Sequence, residues 1–198
     1  MRSPFNFIVK PKEKRSTSTK KIKDKELILN TELQNHLYVS RHGIVLETPM
    51  LEKTNVKKGD EVIIHHNVFR RFYDVKGNEK NSKSFFDEEV FFASPDQIFL
   101  YKRNKDWKPV KGYCFVKPIK NNDIFSDNKE KPLVGIMKYP DEELIKNGIK
   151  SGFKVGFKPR SEYEFVINGE KLYRVKSNLI TIKYERKGNE VEYNPSWL

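Results

Sequence analysis

Short apolar runs separated by polar turns dominate the hydrophobic pattern of this chain. In the first half they cover residues 5–9, 37–39, 43–46, 61–64, 89–92 and 97–101. These runs are rich in β-branched and aromatic residues and are bounded by turn-forming residues, which is typical of β-strands. The helical signals are single turns, such as residues 141–147 after Pro140. The pattern therefore predicts an all-β protein built as an antiparallel sandwich or barrel.

The second half of the sequence repeats the first. Four blocks recur in the same order, namely 7–11 as 114–118, 43–49 as 135–140, 56–62 as 149–155, and 89–98 as 171–180. The offset between the copies shrinks from about 107 to 82 residues, which indicates shorter loops in the second copy. We therefore predict two domains, 1–104 and 105–198, joined near Pro109, which restricts the chain there.

The order of the motifs points to a known family. An apolar-apolar-Val-Lys-Pro strand (7–11) is followed by a long loop, a strand that begins with Gly43, the turn Lys58-Gly59-Asp60 and a closing strand at 96–101. This arrangement resembles the GroES-type co-chaperonin family. The resemblance implies two tandem GroES-like small β-barrels, the first with a mobile loop at about 15–37 and the second with shortened loops.

Members of that family bind a chaperonin through an apolar tripeptide in the mobile loop. Here Leu27, Ile28 and Leu29 stand in an otherwise polar, charged segment. The resemblance implies that they dock on a GroEL-type chaperonin ring, and that a homo-oligomeric ring of this chain encloses an unfolded client protein. Read from the residues alone, the same tripeptide also fits a buried strand. In the second copy, Ile124 and Phe125 form either a second docking site or a plain surface turn.

Residues 65–87 form a longer segment than the family usually has there. Aromatic residues alternate with arginines at 69–73, a combination that stacks on bases or grips phosphates. The same pattern fits a face packed on the barrel with arginines that contact a neighbouring subunit, and this second interpretation is the one we favour.

The charge balance is basic, with 39 Lys and Arg against 27 Asp and Glu and a net charge of +12. Such a field favours acidic partners. Residues 10–25 hold eight basic and two acidic residues, a pattern typical of a solvated segment. An alternative function is therefore a basic β-barrel module that binds nucleic acid through 10–25 and 69–73. A structural or assembly protein that retains the GroES-like fold is another.

Several other classes of site find no support in the sequence. The single cysteine, Cys114, lies in a predicted strand and is expected to be a buried, inert thiol. No apolar run is long enough to span a membrane and no signal peptide follows Met1, so we expect a cytoplasmic protein. His65 and His66 are adjacent on an expected strand and should point to opposite faces, which argues against a shared metal. No nucleotide-binding or nucleophile motif is present, so no enzymatic activity and no cofactor is expected.

Overall fold

The computed structural model describes residues 1–15, 19–22, 25–28, 38–123, 125–187 and 190–196, with the backbone alone for 19–22, 25–28 and 186–187. Within them the chain is almost entirely β-structure. It divides into two compact units, Met1–Trp107 and Lys108–Leu198. The sequence placed this boundary between residues 104 and 105.

The first unit is built on an antiparallel sheet. Among the described residues its strand order is β11-β10-β5-β4-β1-β9-β8. These strands are β1 (Phe7–Pro11), β4 (His42–Glu47), β5 (Glu61–Ile64), β8 (Phe85–Asp87), β9 (Val90–Ala93), β10 (Ile98–Arg103) and β11 (Asp106–Pro109). Two hairpins lie outside this sheet: β2 (Thr19–Ile22) with β3 (Lys25–Ile28), and β6 (Arg71–Tyr73) with β7 (Glu79–Asn81).

The second unit contains a sheet of the order β15-β16-β12-β13-β14-β17. Its strands are β12 (Tyr113–Lys120), β13 (Glu130–Tyr139), β14 (Phe153–Phe157), β15 (Tyr163–Ile167), β16 (Glu170–Lys176) and β17 (Ile180–Lys187). The predicted single helical turn is confirmed as α1 (Glu142–Lys146). Asp141 caps it by accepting a hydrogen bond from the Leu144 N–H at 2.9 Å, which satisfies a backbone donor that the helix itself leaves free.

Six strands of the first sheet, all except β11, have the same order as the six strands of the second sheet, and their equivalent ladders share the same register. Pro11 lies opposite Gly43 on the neighbouring strand, and Pro118 lies opposite Gly135 in the second unit. The neighbouring strands are also equivalent, because β4, β5 and β10 pair in the same order as β13, β14 and β17. The β1–β4 ladder shifts between Ile8 and Val9, and the β12–β13 ladder shifts at the equivalent step. The repeated blocks thus occupy equivalent places in the two units.

The Gly turn before β5 and β14 is also the same in both units. Gly59 and Gly152 each have φ of +86°, a left-handed conformation that glycine adopts without a Cβ penalty. The Gly59 N–H donates to the Val45 carbonyl, and the Gly152 N–H donates to the Met137 carbonyl, both at 2.8 Å. Each turn is therefore fixed by backbone geometry, and the two glycines need no further role.

Each unit has its own apolar core. In the first, the fully buried side chains include Val9, Val62, Phe69 and Phe91. In the second, Cys114, Val116, Met137, Val155 and Val175 form one buried cluster. Burial of these apolar strand residues stabilises each unit.

The all-β prediction is confirmed, whereas the closed barrel is not seen. In the described part of the chain, the hydrogen-bonded order of each sheet begins and ends at different strands. The expected strand at 37–39 is reduced to a single bridge residue, Val39, next to Tyr38; Leu37 lies outside the described residues. No described helix has the length and apolarity needed to cross a membrane.

Candidate functional site

The predicted docking segment leaves and re-enters the first unit at one place. The Lys12 N–H donates to the His42 carbonyl at 3.0 Å, and the Ser40 N–H donates to the Arg15 carbonyl at 2.9 Å. These two bonds extend the pairing of β1 with β4 beyond the sheet. The chain between Arg15 and Tyr38 therefore connects the neighbouring strands β1 and β4, and we call this connection the excursion.

Arg15 anchors the base of this excursion. Its guanidinium carbon lies 4.8 Å from the ring centre of Phe91 and 5.4 Å from that of Phe85, close enough for cation–π attraction. Its Nη2 donates to the Asn81 side-chain oxygen at 3.0 Å. The start of the excursion is thus tied to the sheet edge at β8 and β9.

Within the excursion, the backbone forms the β2–β3 hairpin. Lys20 pairs with Leu27 and Thr19 pairs with Ile28. Two of the three predicted docking residues therefore lie on a strand, in a hairpin that is separate from the main sheet; Leu29 lies outside the described residues. The family resemblance implied a loop at the tripeptide, whereas the residues alone also fitted a strand, because a short aliphatic and β-branched run favours one.

The second loop, between β12 and β13, exposes its aromatic residue completely. Phe125 is 98% exposed, and its N–H donates to the Asp123 carboxylate at 3.0 Å. The Asp123 N–H in turn donates to the Asn121 side-chain oxygen at 3.1 Å. Such short-range side-chain bonds hold a turn in place. Ile124, its predicted partner, lies outside the described residues.

The aromatic and cationic residues between β5 and β9 lie in different environments, which are the core, an ion pair and the exposed surface. Phe69 is 1% exposed and packs edge-on against Phe91, so it belongs to the core. Arg71 pairs with Glu79 across the β6–β7 hairpin at 3.0 Å. Phe72 is 43% exposed. Only part of the predicted 69–73 surface is thus available to a partner.

A cleft of about 480 Å³ lies beneath this hairpin. Its lining contains two cations, an aromatic ring and several neutral polar side chains, namely Asn67, Arg70, Phe72, Ser82, Lys83, Ser84 and Gln97. The residues come from both ends of the segment and from the 3₁₀ turn Pro95–Gln97. The sequence analysis missed this cleft, because no local pattern reveals that residues 67 and 97 meet.

The groups with shifted pKa values lie mostly in ion pairs on the sheet surfaces. In the second unit, Lys171 bonds to Glu130 at 2.7 Å and to Glu164 at 2.9 Å. Burial opposes the charge on Lys171, but the hydrogen bonds that its ammonium donates to these carboxylates outweigh burial and raise its pKa. Burial raises the pKa of Tyr173 to about 12, and its hydroxyl donates to Glu130 at 2.6 Å. Such mutual pairing stabilises the protonated lysine and the neutral phenol rather than a reactive base.

A smaller ion-pair network lies on the sheet of the first unit. Glu61 accepts hydrogen bonds from Lys12 at 2.9 Å and from His42 at 3.1 Å. Burial acts to raise the pKa of Glu61, but these two bonds together outweigh it, so the pKa lies below its usual value. The network ties β4 and β5 to the start of the excursion.

The histidine pair departs from the sequence-based expectation. Strand β5 ends at Ile64, so His65 and His66 do not alternate across a sheet. Their rings stack instead, with centres 4.3 Å apart. No group of three or more potential metal ligands occurs among the residues that the structure describes.

Cys114 is buried, as the sequence predicted. It is 0% exposed and its thiol donates to the Val175 carbonyl at 3.5 Å. Burial, with a smaller contribution from Asp141, raises the pKa of this thiol to about 12. The nucleophilic thiolate is therefore scarce at neutral pH.

Comparison with known proteins adds no relative. No protein-family model matches the chain, and no curated protein matches it. The function is therefore inferred from the repeated motifs, their positions in the two units and the geometry of the sites.

Proposed function

We propose that this protein is a co-chaperonin that caps a GroEL-type chaperonin ring and assists ATP-dependent folding of an unfolded client. The chain forms a homo-oligomeric ring, and each unit is a GroES-like small β-barrel. The nucleotide belongs to the chaperonin. Docking occurs through Leu27, Ile28 and Leu29.

The observation that carries the proposal is the duplicated frame. The Val-Lys-Pro strand, the Gly-initiated strand and the Gly turn hold equivalent positions in both units, with equal register. These are the motifs on which the family resemblance rests. Their shared placement supports a tandem GroES-like architecture over an unrelated β-sandwich.

The docking proposal is supported by the position of the excursion. It emerges between β1 and β4 from a base fixed by backbone bonds, and it carries three adjacent aliphatic residues in a polar segment. Burial of each such side chain in an apolar groove contributes roughly 1.5–3 kcal/mol before the ordering cost. A ring that presents several copies multiplies a weak contact through avidity.

Co-sedimentation with a double-ring chaperonin tests this function. Wild type is compared with a variant in which Leu27, Ile28 and Leu29 are all replaced by Ser, with ATP, with ADP and without nucleotide. A double variant, M50S and L51S, provides the control because it removes exposed apolar side chains (60% and 67% exposed) from another part of the same unit.

We expect wild type and the control variant to sediment with the chaperonin in a nucleotide-dependent way, and the triple variant to remain in the supernatant. Binding by all three proteins would remove the tripeptide from the docking site while leaving the function in place. Absence of wild-type binding to every chaperonin of the source cell would refute the capping function itself.

A further inference from the structure

We propose that the cleft beneath the β6–β7 hairpin is a nucleotide-binding site. Its ligand is a phosphate group joined to a flat base, either as a free nucleotide or as one unit of a single-stranded nucleic acid. This site is separate from the docking excursion, and the inference does not depend on the capping function.

The electrostatics of the cleft favour an anion. Arg70 and Lys83 both line it, and no carboxylate does. In the part of the chain that the structure describes, neither cation takes part in an ion pair, and the Nε–H of Arg70 also lacks an acceptor. By contrast, Arg71 on the same hairpin is neutralised by Glu79. The cleft thus concentrates uncompensated positive charge, and a guanidinium with an ammonium is a suitable pair for a phosphate.

The remaining lining favours a base over an acidic peptide. Phe72 supplies an aromatic wall that is 43% exposed, and aromatic rings stack on nucleobases of any sequence. The Gln97 side-chain oxygen accepts from the Ser94 N–H at 3.0 Å, which orients the amide within the lining. Asn67 and Ser84 add further polar groups. A carboxylate side chain would use the cations but would leave the aromatic wall without a partner.

The size of the cleft and its surroundings agree with this ligand. A volume of about 480 Å³ lies within the range of small-molecule sites. The burial of Phe69 agrees with the packed face that the sequence favours at 69–73, and the pairing of Arg71 with Glu79 leaves Arg70 as the arginine that lines the cleft.

Fluorescence anisotropy on the full chain tests the proposal with two probes, a labelled single-stranded oligothymidine and a labelled adenosine monophosphate. The cleft variants are K83Q and F72A. Their controls are K76Q, which makes the same change of charge, and Y73A, which also removes an aromatic ring; both residues lie in the β6–β7 hairpin and neither lines the cleft. All four side chains are exposed, so the variants are expected to fold.

We expect K83Q and F72A each to weaken binding by about tenfold, whereas K76Q and Y73A change it less than twofold. Binding of both probes identifies a mononucleotide pocket, and binding of the oligonucleotide alone identifies a strand-binding site. In an F72W variant, addition of ligand should quench the new indole fluorescence, and a Y73W variant should show no such change.

Three results would overturn the proposal. The first is that neither probe binds at low salt. The second is equal weakening by cleft and control variants, which would indicate general attraction to the basic chain, including residues 10–25. The third is evidence that the cleft binds an acidic protein partner. This evidence would be loss of the oligomer in sedimentation of K83Q but not of K76Q, or displacement of the probe by a polyglutamate peptide as effective as displacement by the unlabelled nucleotide.

Discussion

Replacement of Asp141 by Ala should destabilise the second unit more than any single surface change. Asp141 is 2% exposed, and its carboxylate accepts three hydrogen bonds. The Leu144 N–H donates to it at 2.9 Å, the Gly112 N–H at 3.1 Å and the Ser177 hydroxyl at 2.8 Å. One side chain thus joins the helix α1, the turn before β12 and the turn before β17.

The magnitude follows from these contacts. Loss of the helix cap costs about 1 kcal/mol, and each further bond to a carboxylate contributes about 1.5–3 kcal/mol. Because the donors remain buried after the substitution, little of this loss is recovered from water. We therefore expect the free energy of unfolding of the second unit to fall by about 4 kcal/mol. D141N, which keeps one acceptor oxygen and the shape, should cost about half as much.

Native-state hydrogen exchange by mass spectrometry measures this effect separately in each unit. Peptides from 108–198 should lose protection in D141A, and peptides from 1–107 should keep it. D123A provides the control, because Asp123 also accepts a backbone N–H bond but is solvent-exposed. A loss of less than about 1 kcal/mol in D141A would refute the reasoning, as would an equal loss in D123A.

The remaining predictions concern the thiol, the glycines and acid stability. Cys114, with its pKa raised to about 12, should react with a thiol reagent at neutral pH only after unfolding, as absorbance of the released chromophore would show; rapid reaction of the folded protein would contradict its burial. Replacement of Gly59 or Gly152 by Ala should cost about 1–2 kcal/mol each in urea unfolding, because φ is +86° and no atom crowds the new Cβ. G135A should cost more than either, because its Cβ would lie 2.7 Å from a backbone carbonyl. Because the pKa of Glu61 is lowered in the folded protein, its ionised form contributes to the free energy of unfolding. That contribution is present above the unfolded-state pKa and is lost as pH falls through the folded-state pKa. E61Q should therefore make stability less dependent on pH on the acid side, as measured by thermal unfolding between pH 3 and 7.

The framework strands could be predicted from the sequence because burial dictates their pattern. The run at 61–64 coincides with β5, whose Val62, Ile63 and Ile64 are fully buried. The predicted and observed strand bounds differ where an apolar residue is not buried. The first strand begins at Phe7 rather than Phe5, since Phe5 is 59% exposed. Apolar character alone does not distinguish a strand residue from an exposed one at a strand end.

The candidate sites were less predictable for two physical reasons. The β2–β3 hairpin forms by pairing of two weakly apolar segments. Their charged residues hide the hydrophobic pattern that would predict a strand. The cleft depends on tertiary contacts, because the 3₁₀ turn brings Gln97 to the β6–β7 segment. His65 and His66 illustrate the same limit, since the strand that was expected to contain both of them ends at Ile64 and their rings stack.

The comparison of the two units shows where the chain has specialised. Six strands of each sheet share their order and register, so apart from the added strand β11 the differences between the sheets lie in the connections. The first unit carries the excursion between β1 and β4 and the hairpin segment between β5 and β9, whereas the second has a short turn between β12 and β13 and the helix α1. Because connections can change without disturbing a buried frame, a duplicated frame allows one copy to gain binding segments while the other retains only its fold. Both proposed binding sites, the docking excursion and the cleft, therefore belong to the first unit.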